Sequence, residues 1–249
     1  MRHLPFFLLL AILLIQAGAC SNGRSNPLEP TSGPRPNNPI PSGTDVTIDF
    51  SEFAGGDTVT GTRGVLVSLA GRGERCADAV IAFDSSVPHG VNRDDLDLGT
   101  PNQAFGGPGV GAGGAEGEFA NDRPLGNLLV IQEDPTLEDD NPDSQDDCDA
   151  GGTIVFDFQP LGADGVSILA ITVVDVDNPK QAKSQFRLYG EGDELLGIVN
   201  PPVTLPNGIA TVDFGGISGV LRMEVEQRVS IAIARIGIRV PGSAEQTSG

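Results

Sequence analysis

The chain has 249 residues and carries 34 Asp and Glu against 15 Lys and Arg, a net charge of −19 near neutral pH. A field of that sign repels phosphate backbones, which argues against nucleic-acid binding. With no Trp, one Tyr and two His, the chain is also poor in the aromatic faces that bind sugars and in the imidazoles that serve acid–base catalysis.

The first twenty residues bear on the compartment. Arg2 and His3 form a short basic start, Leu4 to Ile15 is an almost unbroken apolar run, and Ala17-Gly18-Ala19 precede Cys20. This is the pattern of a bacterial secretory signal, too short and wrongly flanked for a spanning helix. A small-residue triplet ending at cysteine resembles the lipobox of bacterial lipoproteins. That resemblance implies cleavage before Cys20, acylation of its thiol and new amino group with palmitate-like chains, and, since Ser21 is not aspartate, sorting to the outer membrane. Ordinary secretion with cleavage nearby is the alternative. Residues 1–19 are thus expected to be the signal. Residues 20–44, rich in Pro, Ser and Asn, cannot bury enough apolar area to offset ordering entropy and read as a disordered tether. The remainder divides into a domain over 45–240 and a short disordered tail over 241–249. No second apolar stretch reaches membrane length, so the lipid is expected to be the sole membrane attachment.

Within the domain, β-branched or alternating runs recur. They are Val46–Phe50, Val65–Leu69, Ala79–Phe83, Leu128–Gln132, Thr153–Phe158, Val166–Val174, Phe186–Tyr189, Leu195–Val199, Ile209–Phe214, Val220–Val225 and Ser230–Val240. Gly, Pro, Asn and Asp separate them, and no window shows a capped helical period. The expected fold is all-β, an antiparallel β-sandwich of jelly-roll type. One stretch, Asp84 to Gly126, is a long, Gly-rich loop without a strand pattern. Loops of that length inside a domain are usually functional or locally stabilised.

With Cys20 assigned to the lipid, Cys76 and Cys148 remain as a pair in an oxidising compartment, where a disulfide is favoured over isolated thiols or a metal site. Such a bond would clamp the base of the acidic tract. Enzyme readings are weaker. A Ser-His or Cys-His mechanism would have to use His89, in a loop and without a nucleophile elbow. Paired carboxylates, Glu133 with Asp97 or Asp143, could serve a hydrolase acting on an extracellular substrate, and this is the alternative function. Gly106-Gly107-Pro108-Gly109 lacks the strand-to-helix frame of a phosphate loop.

Cation ligation fits the tract better. Acidic residues crowd Glu133 to Asp149 with no Lys or Arg among them, and Asp95-Leu96-Asp97-Leu98-Gly99 begins like a calcium loop. It is not an EF-hand, because the twelfth position is Gly106 where a bidentate Glu is needed. A Ca²⁺ site would therefore draw hard oxygens from separated segments: Asp84, Asp95, Asp97, Glu133, Asp134 or Asp143. The competing reading makes these solvated turn and capping residues.

The blocks DLGTPN, FGGPGVGAGG, LGNLLVIQED, GGTIVFDF, ITVVDVD and FRLY together resemble an uncharacterised family of secreted bacterial β-sandwich domains, often found in exosortase-sorted proteins. The resemblance spans Asp45 to Val240 and singles out Asp84, Asp95, Asp97, Asn102, Glu133, Asp134 and Asp143. This chain has an N-terminal lipid signal in place of that family's C-terminal sorting helix, and lacks its usual turn near Gln227–Ser230. The resemblance implies fold and localisation but brings no activity. The expectation is a non-enzymatic, monomeric, lipid-anchored envelope or surface module, stabilised by Ca²⁺, recognising an extracellular polysaccharide or protein partner.

Overall fold

The computed structural model describes residues 43–90, 93–107, 109, 111–134, 136, 147–180 and 183–242. All of them belong to one compact unit, Pro36–Gly249. Cys20 and Asp143 lie outside the described residues, as do the signal and most of the tether.

Alternating and β-branched runs become fourteen strands among the described residues: β1 Asp45–Ile48, β2 Gly61–Thr62, β3 Val65–Arg72, β4 Cys76–Asp84, β5 His89–Gly90, β6 Arg93–Asp94, β7 Asn127–Glu133, β8 Gly152–Asp157, β9 Val166–Val174, β10 Gln185–Tyr189, β11 Leu195–Val199, β12 Ile209–Val220, β13 Arg222–Gln227 and β14 Ala232–Arg239. Short 3-10 turns are the remaining regular structure. The fold is all-β, with two antiparallel main sheets. The first runs β12-β9-β14-β7-β4, with β1 also paired to β14, and the second runs β11-β10-β13-β8-β3-β2.

The sheets face each other across an apolar layer. Ile154 and Phe156 of β8, Phe186 and Leu188 of β10, and Met223 and Val225 of β13 come from the second sheet. They meet Ile168 and Ile171 of β9, Leu129 and Ile131 of β7, and Ile236 and Ile238 of β14. In the second sheet burial alternates along β10 and β13; in β13 Met223, Val225 and Gln227 are buried and their neighbours half-buried. One face of that sheet meets the core and the other meets water.

The first sheet is different. Leu128 to Ile131 are all buried, as are Ile171 to Val174 and Val80 to Phe83. A second apolar cluster explains this: Ile81, Phe83, Leu128, Val130, Val174, Ile209, Ala232 and Ala234 pack with Leu98 and Leu125. The long stretch after Asp84 thus lies over the outer face of the first sheet as a third layer. A sheet covered on both faces needs unbroken apolar runs, which is why LLVI and ITVV do not alternate.

Several details depart from the sequence reading. The stretch from Asp84 to Gly126 holds the small hairpin β5–β6 and three 3-10 turns, so it is not wholly irregular, and His89 opens β5 instead of sitting in a loop. β4 begins at Cys76, three residues before the run Ala79–Phe83 expected from the sequence. The runs Ile209–Phe214 and Val220–Val225 divide differently: β12 continues to Val220 through Gly215, Gly216 and Gly219, all at positive φ, with register shifts against β9. Glycine reads locally as a stop, but here it absorbs a bulge without ending the strand. β14 has a register shift against β9 between Ile233 and Arg235.

Candidate acidic site at one end of the first sheet

Strand pairing decides what gathers here. In the antiparallel pair of β9 and β14, Ala232 lies opposite Val174, so the residue after β9, Asp175, and the residue two before β14, Ser230, come to the same end of the sheet. Ile233 lies opposite Leu129, which brings the last residue of β7, Glu133, to that end as well. Asp147 bridges to Gln132 beside it. The turn at Leu96–Leu98 adds Asp95 and Asp97 from the covering layer.

The result is a cavity of about 250 Å³ lined by Asp95, Asp97, Glu133, Asp147, Asp149, Asp175 and Ser230. Six carboxylates and a hydroxyl form an all-oxygen lining. Hydrogen bonds fix several of them. Asp95 accepts the Asp147 backbone N–H at 3.2 Å, and Asp175 accepts the Asn207 N–H at 2.8 Å. Arg75 contacts Glu133 at 3.2 Å. As the side chains stand, no group of three or more His, Cys, Asp or Glu among the described residues is posed to clasp a metal ion. The carboxylates share a cavity without converging on one point.

The Cys76–Cys148 disulfide forms, with both residues buried. Cys76 lies opposite Glu133 in the β4–β7 pair, and Cys148 separates Asp147 from Asp149. The Cys148 N–H also bonds to the Ile131 carbonyl at 2.9 Å. The bond therefore fastens two of the six carboxylates beside a third.

A polar network holds the other wall. Asn207, at φ 58° in the turn before β12, is fully buried. Its Oδ1 accepts from Asn102 Nδ2 at 2.6 Å and Asn121 Nδ2 at 2.9 Å, and its own Nδ2 donates to Gly99 O at 2.9 Å and to Asp97 O. Asn121 also donates to Gly99 O at 2.9 Å, and Asn102 to Gly113 O at 2.9 Å. Three asparagines thereby tie the covering layer to the turn that carries Asp175's partner. Asp175 itself sits at φ 65°, a conformation that Asp and Asn tolerate better than other L residues.

Of the acidic residues expected to ligate, the structure brings Asp95, Asp97 and Glu133 together. Asp84 pairs with Asn127 at the other end of β7, away from Glu133, and its carboxylate accepts the Ser86 N–H at 3.0 Å and the Ser86 hydroxyl at 2.6 Å. Asp134 does not line the cavity either. It accepts the hydroxyl and N–H of Thr136 at 2.7 and 2.9 Å, bonds that hold its carboxyl below the usual value. Both are turn-building carboxylates. Sequence reasoning missed Asp147, Asp149, Asp175 and Ser230. The first two flank a cysteine already assigned to the tract's base, which was a usable signal; Asp175 and Ser230 carried none.

Neither a protein-family model, nor a curated protein, nor a solved structure matches the chain. Among the described residues no helix is long and apolar enough to cross a membrane.

Proposed function

We propose that this protein is a lipid-anchored module of the bacterial envelope or cell surface, with a jelly-roll type sandwich, that binds Ca²⁺ in the acidic cavity and recognises an extracellular polymer or protein partner. The observation that carries the reading is the cavity itself: Asp95, Asp97, Glu133, Asp147, Asp149 and Asp175, drawn from separate segments, around about 250 Å³. The donor set suits a hard cation that takes six to eight oxygens in a flexible geometry, and extracellular calcium levels suit sites of modest affinity. A cation there offsets repulsion that the fold otherwise has to bear. The Cys20 context and the resemblance to secreted bacterial sandwich domains support the anchor and the compartment. The scarcity of imidazoles and aromatic faces supports binding over catalysis.

Calorimetry with Ca²⁺ against EDTA tests the site. At ten times the dissociation constant a bound ion stabilises by about 1.4 kcal/mol, or about 3–6 °C for a domain of this size. Asp175→Asn with Asp97→Asn should abolish that shift; an unchanged melting temperature in millimolar Ca²⁺ removes calcium from the proposal. Mass spectrometry of the mature N-terminus tests the anchor, since an unmodified end elsewhere than Cys20 contradicts it.

A further inference from the structure

Three strands of the second sheet, β3, β8 and β13, make a shallow groove of about 310 Å³ beside the acidic cavity. Asp149 of the cavity precedes Ala150 of the groove, and Ser230 of the cavity follows two residues after Arg228 of the groove. Strand pairing builds it. Gly152 of β8 lies opposite Arg72 of β3 and Gln227 of β13, and Thr153 opposite Gly71 and Glu226. With neighbouring strands about 4.8 Å apart, β3 and β13 stand about 10 Å apart. The space is open on the β3 side, where a Cβ built on Gly71 would meet nothing within 4 Å.

Arg72 and Arg228 stand on either side of β8, and both are held. The Arg72 guanidinium donates to the Cys76 carbonyl, and the Arg228 backbone N–H donates to the Ser184 hydroxyl at 3.0 Å. Glu226 is the one acidic residue among the described residues that line the groove. Its carboxylate is shared, with Arg228 at 2.5 Å on one oxygen and Arg187 at 2.7 Å on the other. One negative charge thus faces two guanidiniums, and Arg72 adds a third. The groove is locally positive in a chain of −19, and at physiological ionic strength charges farther than about 8 Å are largely screened.

We propose that this groove binds the carboxylate of a uronate-type sugar in an extracellular acidic polysaccharide. The proposal rests on the reading that the protein recognises an extracellular partner, and it names that partner's chemistry. Guanidinium forks match a carboxylate through paired N–H donors. The lining has no aromatic ring and no aliphatic side chain larger than that of Ala150, so it offers neither the aromatic face a neutral sugar stacks on nor the apolar anchor pocket a protein partner fills. The Thr153 hydroxyl and the exposed glycine backbone suit a hydroxyl-rich ligand. The carboxylates of the adjoining cavity oppose an anion in the groove, so a cation bound among them strengthens sugar binding, and by linkage the sugar strengthens cation binding.

Isothermal titration of the full chain with Cys20→Ser, secreted so that its disulfide forms, tests the groove with three probes: a hyaluronan tetrasaccharide, uncharged cellotetraose and tetraglutamate. In about 2 mM Ca²⁺ the hyaluronan tetrasaccharide should bind and cellotetraose should not. Arg72→Gln and Arg228→Gln should each weaken binding at least about tenfold, with melting temperatures within about 2 °C of the parent. Arg239→Gln, the same loss of charge at the other end of the first sheet, should leave affinity within about twofold. Replacing Ca²⁺ with EDTA should weaken binding about fivefold. No binding at about 5 mM hyaluronan tetrasaccharide overturns the proposal, as does equal binding of cellotetraose, tighter binding of tetraglutamate, or a loss in Arg239→Gln that matches the other two. A calcium-dependent rise in melting temperature without sugar binding overturns the groove and leaves the calcium reading standing. Sugar binding that needs both arginines yet ignores EDTA upholds the groove and removes the cavity from its control.

Discussion

Asn207 shows how one buried side chain can organise a loop. It accepts from two asparagines, donates to two carbonyls and offers its backbone N–H to Asp175. Asn207→Ala would remove four side-chain hydrogen bonds inside the protein, while keeping the backbone bond to Asp175, and would force alanine to φ 58°, so a loss of about 2–4 kcal/mol is expected from urea unfolding. Asn207→Gly relieves the backbone but not the polar groups, so it should recover less than half of that loss. Tyr189 supplies a second test at this scale. Burial first, then the Glu224 carboxylate at 3.1 Å from its hydroxyl, raise its pKa above the usual value near 10. The folded value exceeds the unfolded one, so the associated stability is present below the unfolded pKa and is lost as pH rises through the folded pKa. Since this is the only tyrosine and there is no tryptophan, ultraviolet titration reads this group alone. A midpoint at or below that of the urea-unfolded chain contradicts the assignment. At the acid end the same logic reverses for Asp45, whose hydrogen bond to Arg239 lowers its pKa: that contribution is present above the unfolded value and lost as pH falls through the folded one.

At the scale of elements, the covering layer and the disulfide matter most. The layer stays down because Leu98 and Leu125 complete an apolar cluster and because the asparagines satisfy its carbonyls. It also approaches itself closely: a Cβ on Gly109 would stand 1.1 Å from the Pro101 carbonyl oxygen, so Gly109→Ala cannot be accommodated without moving the backbone. The disulfide closes a separation of 72 residues, for which the chain-entropy account gives about 4 kcal/mol. Cys76→Ser with Cys148→Ser should lower unfolding free energy by roughly that amount. It should also reduce any calcium-dependent stabilisation, since Asp147 and Asp149 lose their tie to Glu133. A double variant that keeps the full calcium effect would separate the bond from the site.

The strand elements were largely legible because period-two alternation is local: Thr153–Phe158 and Phe186–Tyr189 lie within a residue of β8 and β10, and Leu195–Val199 coincides with β11. The third layer was not, since nothing in Leu98 or Leu125 says which face they will cover. β12 was split because glycine at a bulge and glycine at a turn look alike in sequence.

For the whole molecule, the two ends of the first sheet differ. β1 starts and β14 ends at one end, where Asp45 pairs with Arg239 and the Gly43 N–H bonds to the Val240 carbonyl at 2.7 Å. The acidic cavity lies at the other end, beyond Ala232 and Val174. The described chain thus enters the domain, at Gly43, away from the cavity. An all-β class, the order of most strands, and the cysteine pair followed from the sequence by itself, because each rests on local periodicity or on counting. Which carboxylates meet was decided only by tertiary structure. Glu133, Asp147, Asp175 and Ser230 share a cavity because β7, β9 and β14 pair in one register, and register is a long-range property that no local pattern of charge contains.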